Sequence, residues 1–353
     1  DRITNATTRV SLGLGGAESN ERSSNPVLSA DGRFVAFESS ATNLVANDTN
    51  GQTDIFVHDR QTGETTRVSL GPAGVEANAG CGAPVISADG RFIAFESSAT
   101  NLVANDTNNE GDVFVHDRQS GETTRVSLTD GGGEGNSDSE LGAISADGRL
   151  VCFRSFATNL VANDTNNTPD IFVRDRQANT TTRVNVSTGG DQANASSEDS
   201  DISADGRFVA FESNATNLVP NDTNNQGDVF VRDLLNNTTI RVSVNSNGDQ
   251  VVGDSSSNPS ISADGRFVAF TSEASNLVDG DNNSTVDVFV RDLLTGSTFR
   301  VSLDSNGAEG NGSSTQPVIS ADGLAVIFAS LATNLVPNDN NGSRDIFVNQ
   351  RQP

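Results

Sequence analysis

The chain of 353 residues contains no lysine, methionine, tryptophan or tyrosine, and only two histidines and two cysteines. Proton relays, thiol chemistry and imidazole-based metal sites therefore have almost no raw material. With lysine absent, all 22 positive charges are arginines, and they face 47 Asp and Glu for a net charge of −25. Such a surface repels nucleic-acid phosphates and anionic lipid and attracts metal cations. No apolar run is long enough to span a bilayer, and no basic segment followed by an apolar one opens the sequence. The sequence begins at Asp1 rather than at a methionine, which is the expectation for a processed, exported protein. The two cysteines do not decide the compartment: Cys152 stands where other repeats carry Ala36, Ala94, Ala210 and Ala269 and reads as core, whereas Cys81 reads as part of a glycine-rich loop.

What the chain does have is a repeat. Ser-Ala-Asp-Gly recurs with its aspartate at Asp31, Asp89, Asp147, Asp205, Asp264 and Asp322, at spacings of 58, 58, 58, 59 and 58 residues. Each of the six copies carries four strand-like stretches, which in the first are Pro26–Ser29, Phe34–Ser39, Ile55–Asp59 and Thr65–Leu70. Turn-formers separate them, and no stretch has a helical period. Four short antiparallel strands per copy, six copies and no helix predict an all-β fold, a six-bladed β-propeller occupying 1–353 as a single domain. Sixteen of the 18 Phe fall in three columns, headed by Phe34, Phe37 and Phe56, as expected of packing between blades. The opening residues Asp1, Arg2 and Thr7–Ser11 match Asp59, Arg60 and Thr65–Ser69, whereas the sixth copy ends after three strands. The N-terminal segment is thus expected to complete the last blade and close the ring.

Ser-Ala-Asp-Gly-Arg-Phe-Val-Ala-Phe, at Ser29–Phe37 and its five counterparts, resembles the PD40 type of WD40-like repeat, usually Ser-Pro-Asp-Gly-Lys before an apolar strand. Ala replaces the usual Pro, Arg the usual Lys, and the sixth copy has Leu324 in place of the Arg. The resemblance is to propellers of the TolB type and to those attached to prolyl oligopeptidases and tricorn proteases. It implies an exported protein with a protein-binding face, and it specifies fold far better than role.

Between the second and third strands every copy keeps Asp-x-Asn-x-x-x-Asp: Asp48, Asn50, Asp54; Asp106, Asn108, Asp112; Asp164, Asn166, Asp170; Asp222, Asn224, Asp228; Asp281, Asn283, Asp287; and Asp339, Asn341, Asp345. Oxygen ligands at places one, three and seven of a tight loop suit Ca2+, as in the first half of an EF-hand loop, with carbonyls and water completing the shell. The alternative is a set of Asx-turns that need no metal. The linkers between copies emerge on the same face and carry Glu18, Glu76, Glu134, Gln192 and Glu309 two residues before an Asn, a second set of candidate ligands. His58 and His116 read as solvent-facing strand residues. The arginine column Arg9, Arg67, Arg125, Arg183, Arg241 and Arg300 is expected to pair within its blade with an acid such as Asp59. No Gly-x-Ser-x-Gly occurs, so the hydrolase that accompanies some propellers has no nucleophile here. The expectation is an exported, secreted, periplasmic or cell-surface propeller. It binds calcium ions, uses its acidic loop face to bind another protein or a cell-surface component, and has no catalytic residues. The alternative is an enzyme or carbohydrate-binding protein working in the central channel, against which the missing Trp and Tyr weigh, since sugar rings stack on them.

Overall fold

The computed structural model describes residues 6–351. The first repeat forms strands at Ser23–Leu28, Phe34–Ser39, Asp54–Asp59 and Glu64–Arg67, hydrogen-bonded antiparallel in chain order. The first strand starts earlier than its sequence pattern suggests because a bulge between Ser24 and Val27 breaks the alternation, with Asn25 at φ 50°. The last stops at Arg67, although the Val68 N–H still donates to the Ile55 carbonyl at 2.8 Å. Among the described residues, five sheets have four strands and the sixth has three, Ser314–Ile319, Ala325–Ser330 and Asp345–Gln350. The fold is a six-bladed, all-β propeller, and no helix among the described residues is long and apolar enough to cross a membrane.

Among the described residues, no fourth strand pairs with the three of the sixth blade. Thr7–Ser11 belongs to no strand, and Asp1 and Arg2 lie outside the described residues. Val10 nevertheless packs on Val35, Phe37 and Leu44 of the first blade, as Val68 packs on Ile93 and Phe95 of the second. The chain forms two compact units, Asp1–Leu160 with Arg174–Thr181, and Val161–Val173 with Thr182–Pro353.

Within each unit the phenylalanine columns are the cement between blades. Ile55 and Val57 of the first blade share a buried cluster with Phe95 and Phe114 of the second, and Val229 and Val231 of the fourth blade meet Phe270 and Phe289 of the fifth. Inside a blade the rings of adjacent strands stack, Phe37 on Phe56 with centroids 5.9 Å apart. The column headed by Phe34 explains the glycine of Ser-Ala-Asp-Gly. Gly90 has φ 71°, and a Cβ there would lie 2.2 Å from Cδ2 of Phe34 in the preceding blade. The alanine before it links blades through the backbone: Ala30 N–H donates to the Ala88 carbonyl and Ala88 to Ala146, each at 3.0 Å.

Neither cysteine forms a disulfide, and both are buried. Cys81 begins the first strand of its blade, Cys81–Ile86, rather than sitting in a loop, and burial pushes its thiol up to about 12. The histidines depart from expectation as well. His58 and His116 are buried, their Nδ1 atoms 2.9 and 3.0 Å from Thr65 and Thr123 Oγ1, and Arg174 fills the same place in the third blade with a bond to Thr181 Oγ1. Burial holds His116 down at about 4.

Candidate functional site

The hairpin of third and fourth strands sets the geometry of the acidic loops. Asp59 pairs with Glu64 and Phe56 with Arg67, so continuing the count brings Ser69 opposite Asp54 and leaves Arg67 reaching back over the loop. Ser69 Oγ donates to Asp54 Oδ1 at 2.5 Å, and Arg67 Nη1 lies 3.1 Å from Asp48 Oδ1 and 3.2 Å from Asp54 Oδ2. The linker glutamate closes the group, Glu76 Oε1 standing 2.8 Å from the same Nη1. Glu76 also accepts from Thr49 N–H at 2.8 Å and Thr49 Oγ1 at 2.6 Å. Those bonds hold its carboxyl down at about 2. The candidate ligands of loop and linker therefore do converge, around a guanidinium.

The asparagine at place three is a clasp. Asn50 Oδ1 accepts the Gln52 N–H at 3.0 Å, an Asx-turn, and its Nδ2 donates to Asp54 Oδ2 and to the Ala77 carbonyl of the linker. The same arrangement recurs around Arg125 with Asp106, Asp112 and Glu134, and around Arg300 with Asp281, Asp287 and Glu309. Around Arg183 the carboxylates are Asp164 and Asp170, and Gln192 Nε2 donates to both. Around Arg241 they are Asp222 and Asp228, while Gln250 turns to Thr223. Asn166, Asn224 and Asn283 make the corresponding clasps to Ala193, Val251 and Gly310 carbonyls, and Asn108 to that of Gly135.

The sixth loop differs. Asp345 takes a bond from Asn341 Nδ2 at 2.9 Å, Asp339 is half-buried, and Arg9, which heads the arginine column, pairs with Glu18. The expected pairing of the column with Asp59-type acids is corrected: Asp59 is held by Arg33 in a two-point bond, at 2.9 and 2.6 Å, which pushes its carboxyl far down.

The counter-charge that this structure sets against the loop carboxylates is thus an arginine. The fit is incomplete, however. Asp48 Oδ1, Asp106 Oδ1 and both Asp222 oxygens are buried and accept no well-directed hydrogen bond, and the Nε atoms of Arg67, Arg125, Arg241 and Arg300 donate none. Burial accordingly pushes Asp48, Asp106, Asp222 and Asp281 up, against the pull of their arginines. Among the described residues, no group of three or more His, Cys, Asp or Glu is arranged to hold a metal ion.

One titratable group was not apparent in the sequence. Glu212, on the second strand of the fourth blade, is pushed up to about 7, first by burial and then by the nearby charge of Asp199. Asn258 Nδ2 donates to Asp199 at 2.8 Å. No periodicity marks this group, because Asp199 sits in the bulge of an inner strand.

No family model and no curated protein sequence matches the chain. Solved structures do. An oligogalacturonate lyase in complex with manganese covers 95% of this chain and 78% of its own at 12% identity and TM-score 0.55. The β-propeller domain of the Trilobed protease of Pyrococcus furiosus, described as having an open velcro topology, covers 93% of this chain and 82% of its own at 12% identity and TM-score 0.56. A TolB protein of Agrobacterium tumefaciens covers 94% and 91% at 15% identity and TM-score 0.49. At these identities the likeness is one of fold: the chain has the β-propeller architecture of the lyase and of the protease domain.

Proposed function

We propose that the chain is an exported binding scaffold, which presents the acidic loop ends of its blades to another protein or a cell-surface component and performs no chemistry. The observation that supports this reading is the fivefold recurrence of one buried Arg-carboxylate-Asn cluster. The cluster ties each loop to the linker that follows it, so the rim is stiff, while half-buried places such as Gln52, Glu110, Thr168 and Gln226 vary from blade to blade. A rigid frame carrying variable side chains is what recognition requires, because little ordering entropy remains to be lost on binding. Export rests on the resemblance of the repeat to that of TolB-type propellers.

The test is crosslinking of the purified chain to cell-envelope fractions, comparing the parent with a variant neutralised at rim acids such as half-buried Glu110 and exposed Asp130. A defined adduct formed by the parent and lost in the variant supports the scaffold. A lyase or hydrolase activity that survives purification, depends on a single channel residue and ignores the rim overturns it.

A second reading, calcium in the loops, is favoured by the orphaned oxygens of Asp48, Asp106 and Asp222. A divalent ion would have to share those oxygens with a guanidinium about 3 Å away, or displace it. Arginine tying is therefore the arrangement we favour, and calcium dependence of melting separates the two.

A further inference from the structure

On the turn face, repetition breaks after the third strand of the fourth and fifth blades. After the third strand, the first three blades read Asp-Arg-Gln, at Asp59-Arg60-Gln61, Asp117-Arg118-Gln119 and Asp175-Arg176-Gln177. Blades four and five read Asp233-Leu234-Leu235 and Asp292-Leu293-Leu294. Within the fourth strand, Thr66, Thr124 and Thr182 give way to Ile240. Three polar-to-apolar changes meet in one groove of about 460 Å³, where Ile240, Leu293 and Leu294 line the same walls as Phe208, Gly265 and Asp264. Leu294 is 75% exposed and Ile240 45%. A repeat that needed these residues for its own packing would carry them in every blade, yet the first three blades hold Arg, Gln and Thr at these positions, while the fifth puts Phe299 at the place of Ile240 and has the Arg351 guanidinium over its ring.

The change of charge at the groove indicates what it takes. Arg60, Arg118, Arg176 and Arg351 each donate Nη1 to the carbonyl of the turn glycine in their own blade, Gly32, Gly90, Gly148 and Gly323, at 2.7, 2.7, 2.7 and 2.8 Å. In the fifth blade Leu293 can supply no donor to the Gly265 carbonyl, and a positive charge has gone. The remaining arginines of the groove are committed: Arg207 to Asp233 and Arg266 to Asp292, both at 2.7 Å. Asp264, bonded to Ser262 Oγ and the Arg266 N–H, contributes the residual negative charge. The groove is thus apolar between two ion pairs, with Gly265 and Asp264 also in its lining, beside the outermost strand of its sheet, Thr238–Arg241.

We propose that this groove is the docking site of an extended partner segment in which an arginine lies between apolar side chains. The arginine supplies the guanidinium that Leu293 lacks, and the apolar residues cover Ile240 and Leu294. The site is separate from the loop rim and stands or falls independently of it.

The experiment measures binding of the acetylated, amidated peptide Leu-Arg-Val-Arg-Leu by fluorescence anisotropy, with Ser-Arg-Ser-Arg-Ser as the charge-matched control. The parent is compared with I240T/L294Q, which installs residues other blades already carry and leaves the net charge unchanged. Binding of the first peptide over the second, weakened at least about tenfold in the variant, is the expected result. L293R, which restores the blade's own guanidinium, is expected to lose binding as well. Equal binding of the two peptides, or equal binding by parent and variants, overturns the proposal. So does self-association, or binding to phosphatidylcholine vesicles, that disappears in I240T/L294Q while the peptide is ignored, because the occupant is then a second copy or a membrane.

Discussion

Replacing Arg125 by methionine removes the centre of a cluster whose members have no other cation. Its Nη1 donates to Asp112 at 2.8 Å and lies 3.2 Å from Asp106, and its Nη2 donates to Glu134 at 2.8 Å. The side chains of Asp112 and Asp106 are 0% and 3% exposed, so water cannot take over the lost bonds without opening the loop. Removing one partner of a buried ion pair costs about 3–5 kcal/mol, mostly from the charges left behind. For a compact unit of this size that is a fall of about 6–20 °C in melting temperature. Urea unfolding at neutral pH measures it, with an unchanged slope showing that the native state is intact. The sign with pH is fixed by the acids. Burial already raises the pKa of Asp106 and Arg125 opposes that rise, so in R125M the carboxyl rises further. An acid raised in the folded state loses stability as pH increases through the window between its unfolded and folded values, so the deficit of R125M shrinks on acidification. A loss below about 1 kcal/mol, or a deficit that grows toward acid, refutes the claim that the arginine carries the loop.

Gly90→Ala is expected to cost about 2–4 kcal/mol in urea unfolding, combining left-handed strain with the clash against Phe34, whereas Gly63→Ala, at φ 75° in open space, costs about 1 kcal/mol. Equal costs would contradict the packing described. Glu212→Gln is expected to stabilise the chain near pH 8, with the advantage fading below about pH 5. The reason is that the parent carboxyl, pushed up to about 7, keeps its proton on folding and loses stability as pH rises from the ordinary value through 7. A stabilisation that is constant with pH would show that Glu212 ionises normally.

Much of the architecture was legible because repetition multiplies weak signals. One Ser-Ala-Asp-Gly is a turn, but six at a near-constant spacing, each followed by an alternating strand, are blades. The loop carboxylates and the arginine column were equally visible, yet their union was missed, because it depends on hairpin register rather than on proximity in sequence. Counting from the Gln-Thr-Gly turn that joins Asp59 to Glu64 would have set Ser69 against Asp54 and left Arg67 over Asp48. The histidines were misjudged for a related reason. Alternation along Asp54–Asp59 suggests a solvent face, but all six residues of that strand are buried. In the second blade, Thr123, the hydroxyl partner of His116, also donates to the Leu70 carbonyl of the preceding linker, a contact that spans 53 positions of sequence. The exposure of Leu235 and Leu294 is a three-dimensional property that the sequence pattern does not carry.

The central claim is that arginines, and not metal ions, neutralise the buried loop acids, and the most direct measurement is thermal melting of the parent and of R125M, each with excess calcium and with EDTA. The account predicts superimposable curves for the parent, because Arg67, Arg125, Arg183, Arg241 and Arg300 already fill the loops. It predicts a calcium-dependent rise for R125M alone, where Asp106, Asp112 and Glu134 are left without a cation. A parent whose melting temperature climbs with calcium and falls with EDTA would contradict it and return the loops to the metal.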